Sequence, residues 1–192
     1  MNPDFFRSIY DHVLLQKCDL EEIIDAHEEI IFPKGHVFLE NGKMANEYYL
    51  VEKGLLRVYV HDYNGNEITT NFHGTGEIAI EVSSLFQRLS TNENIVALTK
   101  GKAWKIEFEV FQKLFHKIEG FREWGRAWMA GQLFISKQRS IAMFTNTAKE
   151  RYLLLIKEKP EIIQQVSIKY IASYLGVTDT SLSRIRKEIL KA

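Results

Sequence analysis

The chain has a single cysteine, Cys18, so it can form no internal disulfide and hold no thiolate-ligated cluster. It also has no apolar run approaching the ~20 residues of a membrane-spanning helix. Met1–Tyr10, interrupted by Asp4, has no apolar block followed by a cleavage site. A cytoplasmic location with no membrane partner is therefore expected. The six histidines, His12, His27, His36, His61, His73 and His116, include no His-x-His or His-x-x-x-His pair. Such spacing would bring two imidazoles to one metal. Solvated strand histidines are the ordinary alternative to ligation by His61 or His73. Cys18 has no partner for a redox switch. No metal, cofactor or catalytic function is expected.

Net charge is also absent: 25 Lys and Arg balance 25 Asp and Glu. Its distribution is uneven, however. From Thr147 onward Lys149, Arg151, Lys157, Lys159, Lys169, Arg184, Arg186, Lys187 and Lys191 face only Glu150, Glu158, Glu161, Asp179 and Glu188. A basic C-terminal segment on an acidic remainder is compatible with a nucleic-acid partner.

The 192 residues, 45% of them hydrophobic, fall into three zones. Residues 4–24 carry Phe5, Ile9, Val13, Leu20, Ile23 and Ile24 at helical spacing. From His27 to Glu107, short β-branched and aromatic runs alternate with turn signals such as Pro33-Lys34-Gly35 and Asn64-Gly65-Asn66. The expected strands are Glu29–Phe32, Val37–Glu40, Glu47–Glu52, Leu55–His61, Glu67–Phe72, Asn94–Thr99 and Ala103–Glu107. Turns this frequent predict an antiparallel sandwich or barrel of jelly-roll type. Leu56, Val58 and Val60 alternate with Arg57, Tyr59 and His61, as a half-buried strand requires. Trp104, Phe108, Phe111 and Phe115 read as core.

After Phe108 the period lengthens. Phe121, Trp124, Trp128, Gly131, Ile135, Gln138 and Ala142 recur at alternating three- and four-residue steps, a heptad stripe. Gly131 would let two backbones approach and Gln138 could fix register. A helix lying on its own domain is the alternative. The stripe predicts a parallel two-fold homodimer, with Phe134, Ile141 and Phe144, off the seam, facing the same subunit's sandwich. The expected fold is thus α+β: a jelly roll with an N-terminal helix over 1–118, a dimerisation helix over 119–146 and a helical DNA-binding unit over 147–192.

Residues 168–187 meet the steric demands of a helix-turn-helix. Ala172 is small where the second helix crosses the first. Gly176, four residues on, tolerates the positive φ of the turn. Ile171, Leu175, Val177, Leu182 and Ile185 plug the angle between the helices. Ser167 can cap the first helix and Thr178 the second, with Asp179 in its first turn. The outer face of the second helix carries Thr180, Ser181, Ser183, Arg184 and Lys187, which would meet a major groove. Arg184 can donate twice to guanine. Lys169, Arg186, Lys187 and Lys191 suit phosphates. A helical hairpin without a DNA role is the plain alternative.

Ile171-Ala172-Ser173-Tyr174-Leu175-Gly176-Val177 and Leu182-Ser183-Arg184-Ile185-Arg186-Lys187 resemble the winged-helix signature of the Crp/Fnr family of bacterial regulators, particularly its Bacteroidetes members. Glu150-Arg151-Tyr152 through Pro160 is similar to the preceding helix there. The resemblance covers nearly the whole chain. It implies a cyclic-nucleotide-binding-like jelly roll, double-stranded DNA as partner, a small-molecule effector and contact with RNA polymerase. It also implies a β-wing, which is either absent here or supplied around Gln164–Ser167. The Fnr branch reads DNA through Glu-x-x-Ser-Arg. Thr180, Ser183 and Arg184 stand at those positions, so the glutamate is missing.

Relatives that bind cyclic AMP carry Gly-Glu and, ten residues later, an Arg-Ser/Thr-Ala run for the phosphate. The resemblance places Ile80-Glu81 at the first pair and Thr91 at the arginine. A second alignment uses Gly76-Glu77 and Arg88-Leu89-Ser90. In the first, no cation meets the phosphate, which is strongly disfavoured. Tight cyclic AMP binding is therefore not expected, and the effector is left open. Two further classes remain: a ligand-binding module that binds no DNA, and a metal-dependent jelly-roll enzyme. The latter needs a His/carboxylate ligand set that the spacing does not supply.

Overall fold

The computed structural model describes residues 2–190. Its N-terminal stretch forms two helices, α1 (Pro3–Ile9) and α2 (Lys17–Asp25), rather than one from 4 to 24. The Asp19 carboxylate accepts the Gln16 N–H at 3.1 Å, which defines a new helix start.

The strands are β1 (Glu28–Phe32), β2 (Val37–Leu39), β3 (Glu47–Lys53), β4 (Leu56–His61), β5 (Glu67–His73), β6 (Ile78–Ala79), β7 (Asn94–Ala97) and β8 (Gly101–Glu107). They pair antiparallel, in the orders β1-β8-β3-β6 and β2-β7-β4-β5. Leu50 from one sheet and Leu56, Val58 and Ile95 from the other share a core with Phe6, Trp104 and Phe111. The strand expectations hold, except that β6 and the following helix α3 (Val82–Gln87) had no counterpart. A buried polar chain ties the N-terminal helices to this core. His27 Nε2 meets Tyr10 Oη at 2.9 Å, Tyr10 Oη meets Tyr48 Oη at 2.9 Å, and His27 Nδ1 lies 2.7 Å from the Ile23 carbonyl. Burial pushes the His27 pKa down to about 4.

α4 (Phe108–Lys117) leads into the long α5 (Glu119–Thr145). α6 (Ala148–Glu158), α7 (Pro160–Gln165), α8 (Ile168–Leu175) and α9 (Asp179–Ile189) follow. A capping box starts α6: Thr147 Oγ1 accepts the Glu150 N–H at 3.2 Å, and Glu150 accepts the Thr147 N–H at 2.7 Å. The last helices share a second core, Tyr152, Leu155, Ile162, Ile171, Ala172, Leu175 and Leu182, which Leu55 and Phe72 of the sandwich join. Arg57 corrects the simple alternation of β4. It is 2% exposed rather than solvated, because α8 covers that face. No wing strand is present among the described residues; around Gln164–Ser167 the chain ends α7 at Gln165 and starts α8 after Ser167.

Candidate nucleic-acid interface

The helix-turn-helix is built from α8 and α9. Ala172 and Leu182, both 0% exposed, meet where the helices cross, and Ile171 and Leu175 are buried beside them. Val177 and Ile185 are half-buried plugs. Gly176 ends α8 at φ 68°, a left-handed conformation that an L side chain adopts only with strain. The Val177 N–H then returns to the Ala172 carbonyl at 3.0 Å. Thr178 Oγ1 caps α9 by accepting the Ser181 N–H at 3.2 Å. Ser167 holds the N-cap position of α8, but its hydroxyl makes no cap bond.

On α9, Thr180, Arg184 and Lys187 are exposed along one face, while Ser181, Ser183 and Arg186 are half-buried. Lys169 on α8 is also exposed, and Lys191 lies outside the described residues. Among the described residues Lys169, Arg184, Arg186 and Lys187 have no carboxylate partner. Short side chains beside an unpaired guanidinium suit close approach to base edges. Arg151, which sequence reasoning missed, braces this unit. It donates from Nη2 to the Leu175 carbonyl at 2.9 Å and from Nη1 to the Asn146 carbonyl at 2.6 Å. A cation at the carbonyl end of α8 also complements its dipole.

The long helix divides the expected seam, turning its first part inward. Phe121 (0% exposed) and Trp124 (6%) lie in the protomer's own core. There they stack at 5.4 Å, and Trp124 Nε1 donates to the Ile9 carbonyl at 2.8 Å. Trp128 packs against the same core. Gly131, Ile135 and Gln138 are exposed, and Ala142 is half-buried. Phe134, Ile141 and Phe144 were expected against the sandwich, but they are 62%, 43% and 91% exposed. With Ala127, Ala130 and Lys137, they form an outward stripe with the same alternating steps.

The residues aligned with a cyclic-nucleotide site are engaged within the protein. The Glu81 carboxylate caps α3 by accepting the Ser84 N–H. Thr91 is buried, and its Oγ1 accepts the Glu93 N–H at 2.9 Å. Burial, reinforced by the charge of Glu81, raises the Glu93 carboxyl, whereas a hydrogen bond from Thr70 lowers it. The hollow beside Ile80 and Glu81 measures about 60 Å³, well under the ~300 Å³ at which ligand pockets usually begin. Under the second alignment, Arg88 turns away to the Ala45 carbonyl at 2.8 Å and to Asn46 Oδ1 at 2.6 Å. Glu77 pairs with Lys159 at 2.7 Å. At the aligned positions, then, a carboxylate, Glu93, stands beside Thr91, and the hollow over Glu81 is small. A larger apolar groove of about 690 Å³ lies between α5 and Ile78, Ile80 and Phe86.

Residues 29–117 match the cyclic nucleotide-binding domain family. The fold of the chain is that of Crp/Fnr-type regulators. FixK2 of Bradyrhizobium japonicum superposes with a TM-score of 0.73 at 19% identity, over 86% of this chain and 85% of that one. A chain from Eubacterium rectale described as a transcriptional regulator of the Crp/Fnr family gives 0.71 at 17% identity, over 92% and 84%. A cAMP-dependent protein kinase type II regulatory subunit of Drosophila melanogaster is 26% identical over 104 residues, which are 54% of this chain. The chain spans about a quarter (26%) of that relative's length. Among the described residues no helix is long and apolar enough to cross a membrane.

Proposed function

We propose that this protein is a sequence-specific, homodimeric DNA-binding transcription regulator. The carrying observation is the exposed, unpaired α9 face of Thr180, Arg184 and Lys187 beside Ser183, on a turn fixed by Gly176. Arg184 with Ser183 would read base edges; Lys169, Arg186 and Lys187 would hold phosphates. The two subunits would meet along the outward stripe of α5, within a division into 1–118, 119–146 and 147–192. Two recognition helices would then enter successive major grooves about 34 Å apart on an inverted repeat. The protein would work in the cytoplasm, with RNA polymerase as a further partner.

The effector in this reading is a small molecule other than cyclic AMP, as the 60 Å³ hollow and the Glu81–Glu93 pair favour. Calorimetry with cyclic AMP gives no heat of binding at micromolar concentrations; a micromolar dissociation constant overturns this part.

The DNA reading is tested by selecting bound duplexes from a random library with purified protein. Arg184→Ala weakens the selected site by about 1–3 kcal/mol and relaxes preference at one base pair. Unchanged affinity and preference would remove Arg184 as the base reader; a library from which no duplex is selected would leave the ligand-binding module without DNA binding, a reading with which the family match over 29–117 is compatible.

A further inference from the structure

The helix-turn-helix is locked to the rest of the molecule at an unusual place, the open edge of a sheet. β5 is an edge strand, and its outer N–H and C=O groups have no neighbouring strand. Side chains from the helical half take that role. Ser173 Oγ accepts the Thr69 N–H at 2.8 Å and donates to the Glu67 carbonyl at 3.3 Å. Arg139 donates to the Thr70 carbonyl, and Lys159 to the Phe72 carbonyl at 2.8 Å.

Two arginines then address two tyrosines one turn apart on α8. The Arg57 guanidinium lies 3.7 Å from the centre of the Tyr170 ring, and that of Arg139 lies 3.9 Å from Tyr174. Arg57, on β4, also pairs with Glu67 at 2.5 Å and donates to Thr69 Oγ1 at 2.9 Å. Arg139, on α5, donates to the Tyr174 carbonyl at 3.2 Å. α8 is thereby fixed both to the sandwich and to the long helix, and α9 follows α8 through Ala172 and Leu182.

The apolar contacts of this joint, Phe72 and Leu55 against the second core, hold the parts together but are non-directional. A planar guanidinium that stacks on a ring while donating to a carbonyl fixes an angle as well. Arg139 comes from the same helix as the outward stripe, so it sets the angle between that stripe and α9. In a two-fold dimer this angle determines how far apart the two recognition helices stand.

We infer that Arg139 and Arg57 are positioning residues for DNA recognition: they touch no DNA but set the half-site spacing the dimer accepts. This rests on the two-fold DNA-binding reading. The test uses the full chain and the inverted repeat selected above, with its centre lengthened or shortened by one and two base pairs, each about 3.4 Å. The wild type loses at least about tenfold in affinity per added or removed pair. Arg139→Met and Arg57→Met reduce that discrimination to about threefold or less, while affinity for an isolated half-site stays within about twofold. Tyr174→Phe keeps the discrimination and Tyr174→Leu loses it. These two variants carry the comparison if a methionine variant loses its cooperative melt.

Spacing discrimination retained in Arg139→Met, or in Tyr174→Leu when the methionine variant does not fold, overturns the inference. So does a half-site affinity that falls in step with the full site, since that is the mark of simple structural damage. A wild type that selects no duplex at all overturns the DNA reading, and this inference with it.

Discussion

Mild acid is expected to weaken this protein through two buried imidazoles. His27 sits in the Tyr10–Tyr48 network. His73, at the end of β5, lies beside Glu77 and Lys159. Burial lowers each to about 4; for His73 the charge of Glu77 opposes that and the charge of Lys159 adds to it. Both are therefore neutral in the folded chain, against an ordinary value of about 6.5. Below that value the unfolded chain takes up protons that the folded chain refuses. Stability falls as pH drops from about 6.5 and levels off near 4, where the folded imidazoles titrate as well. At about 1.36 kcal/mol per pH unit the full loss is ~3 kcal/mol for each residue, of which ~2 is gone by pH 5. Together, ~4 kcal/mol at pH 5 is a large share of the 5–15 kcal/mol that typically separates folded from unfolded domains. Urea unfolding followed by tryptophan fluorescence at about pH 7.5, 6 and 5 checks this. The variants are His27→Gln and His73→Gln, which do not titrate. Each begins less stable at pH 7.5 but loses ~2 kcal/mol less than the wild type on reaching pH 5. Parallel losses in all three proteins would refute the reasoning.

Gly176→Ala is expected to destabilise the helix-turn-helix by about 1–2 kcal/mol in a thermal melt, because φ 68° is strained for any L side chain. The new Cβ also falls 2.7 Å from Met143 Cε, but that flexible end can move, so adding Met143→Ala restores little. Phe134→Asp places a charge on the outward stripe of α5 and is expected to convert the proposed dimer to monomer in light scattering. A dimer that persists would place the subunit contact elsewhere.

The parts visible in the sequence are those whose constraints are local. A helix-turn-helix needs a small residue, a left-handed turn and apolar plugs within about fifteen positions, and Ala172, Gly176 and Leu182 meet those needs without help from the rest of the chain. The strands announce themselves by alternation between turns. By contrast, β6 is two residues long, and α3 begins at a cap supplied by Glu81, so neither leaves a periodic signature. Arg57 looked like a solvent-side residue because what buries it, Tyr170, lies 113 positions away. Lys159 counted only toward the basic C-terminal segment and Arg139 carried no signal, because each is held in part by a backbone carbonyl of β5, which has no identity in a sequence.

The long helix shows why a correct period can still mislead. A heptad stripe says that one face of a helix is apolar, not what covers it. On α5 there are two such faces. Phe121, Trp124 and Trp128 pack on the protomer's own sandwich, Ala127 and Ala130 are exposed at the groove beside it, and Phe134, Ile141 and Phe144 are exposed. The aromatic residues drew attention to the first stripe, because large rings read as an interface. They are instead what anchors the helix to its own domain, through Phe111, Tyr10 and the Ile9 carbonyl. Past Trp128 the helix leaves the aromatic core, and Arg139 and Met143 become its inward contacts, toward the edge strand β5, Tyr174 and Gly176. The inward face thus passes from apolar anchoring to polar positioning along a single helix. A helix clamped at one end by aromatic packing and at the other by a guanidinium can hold an angle between two distant surfaces. In the proposed dimer, subunit contact and DNA contact would then be coupled without either surface touching the other.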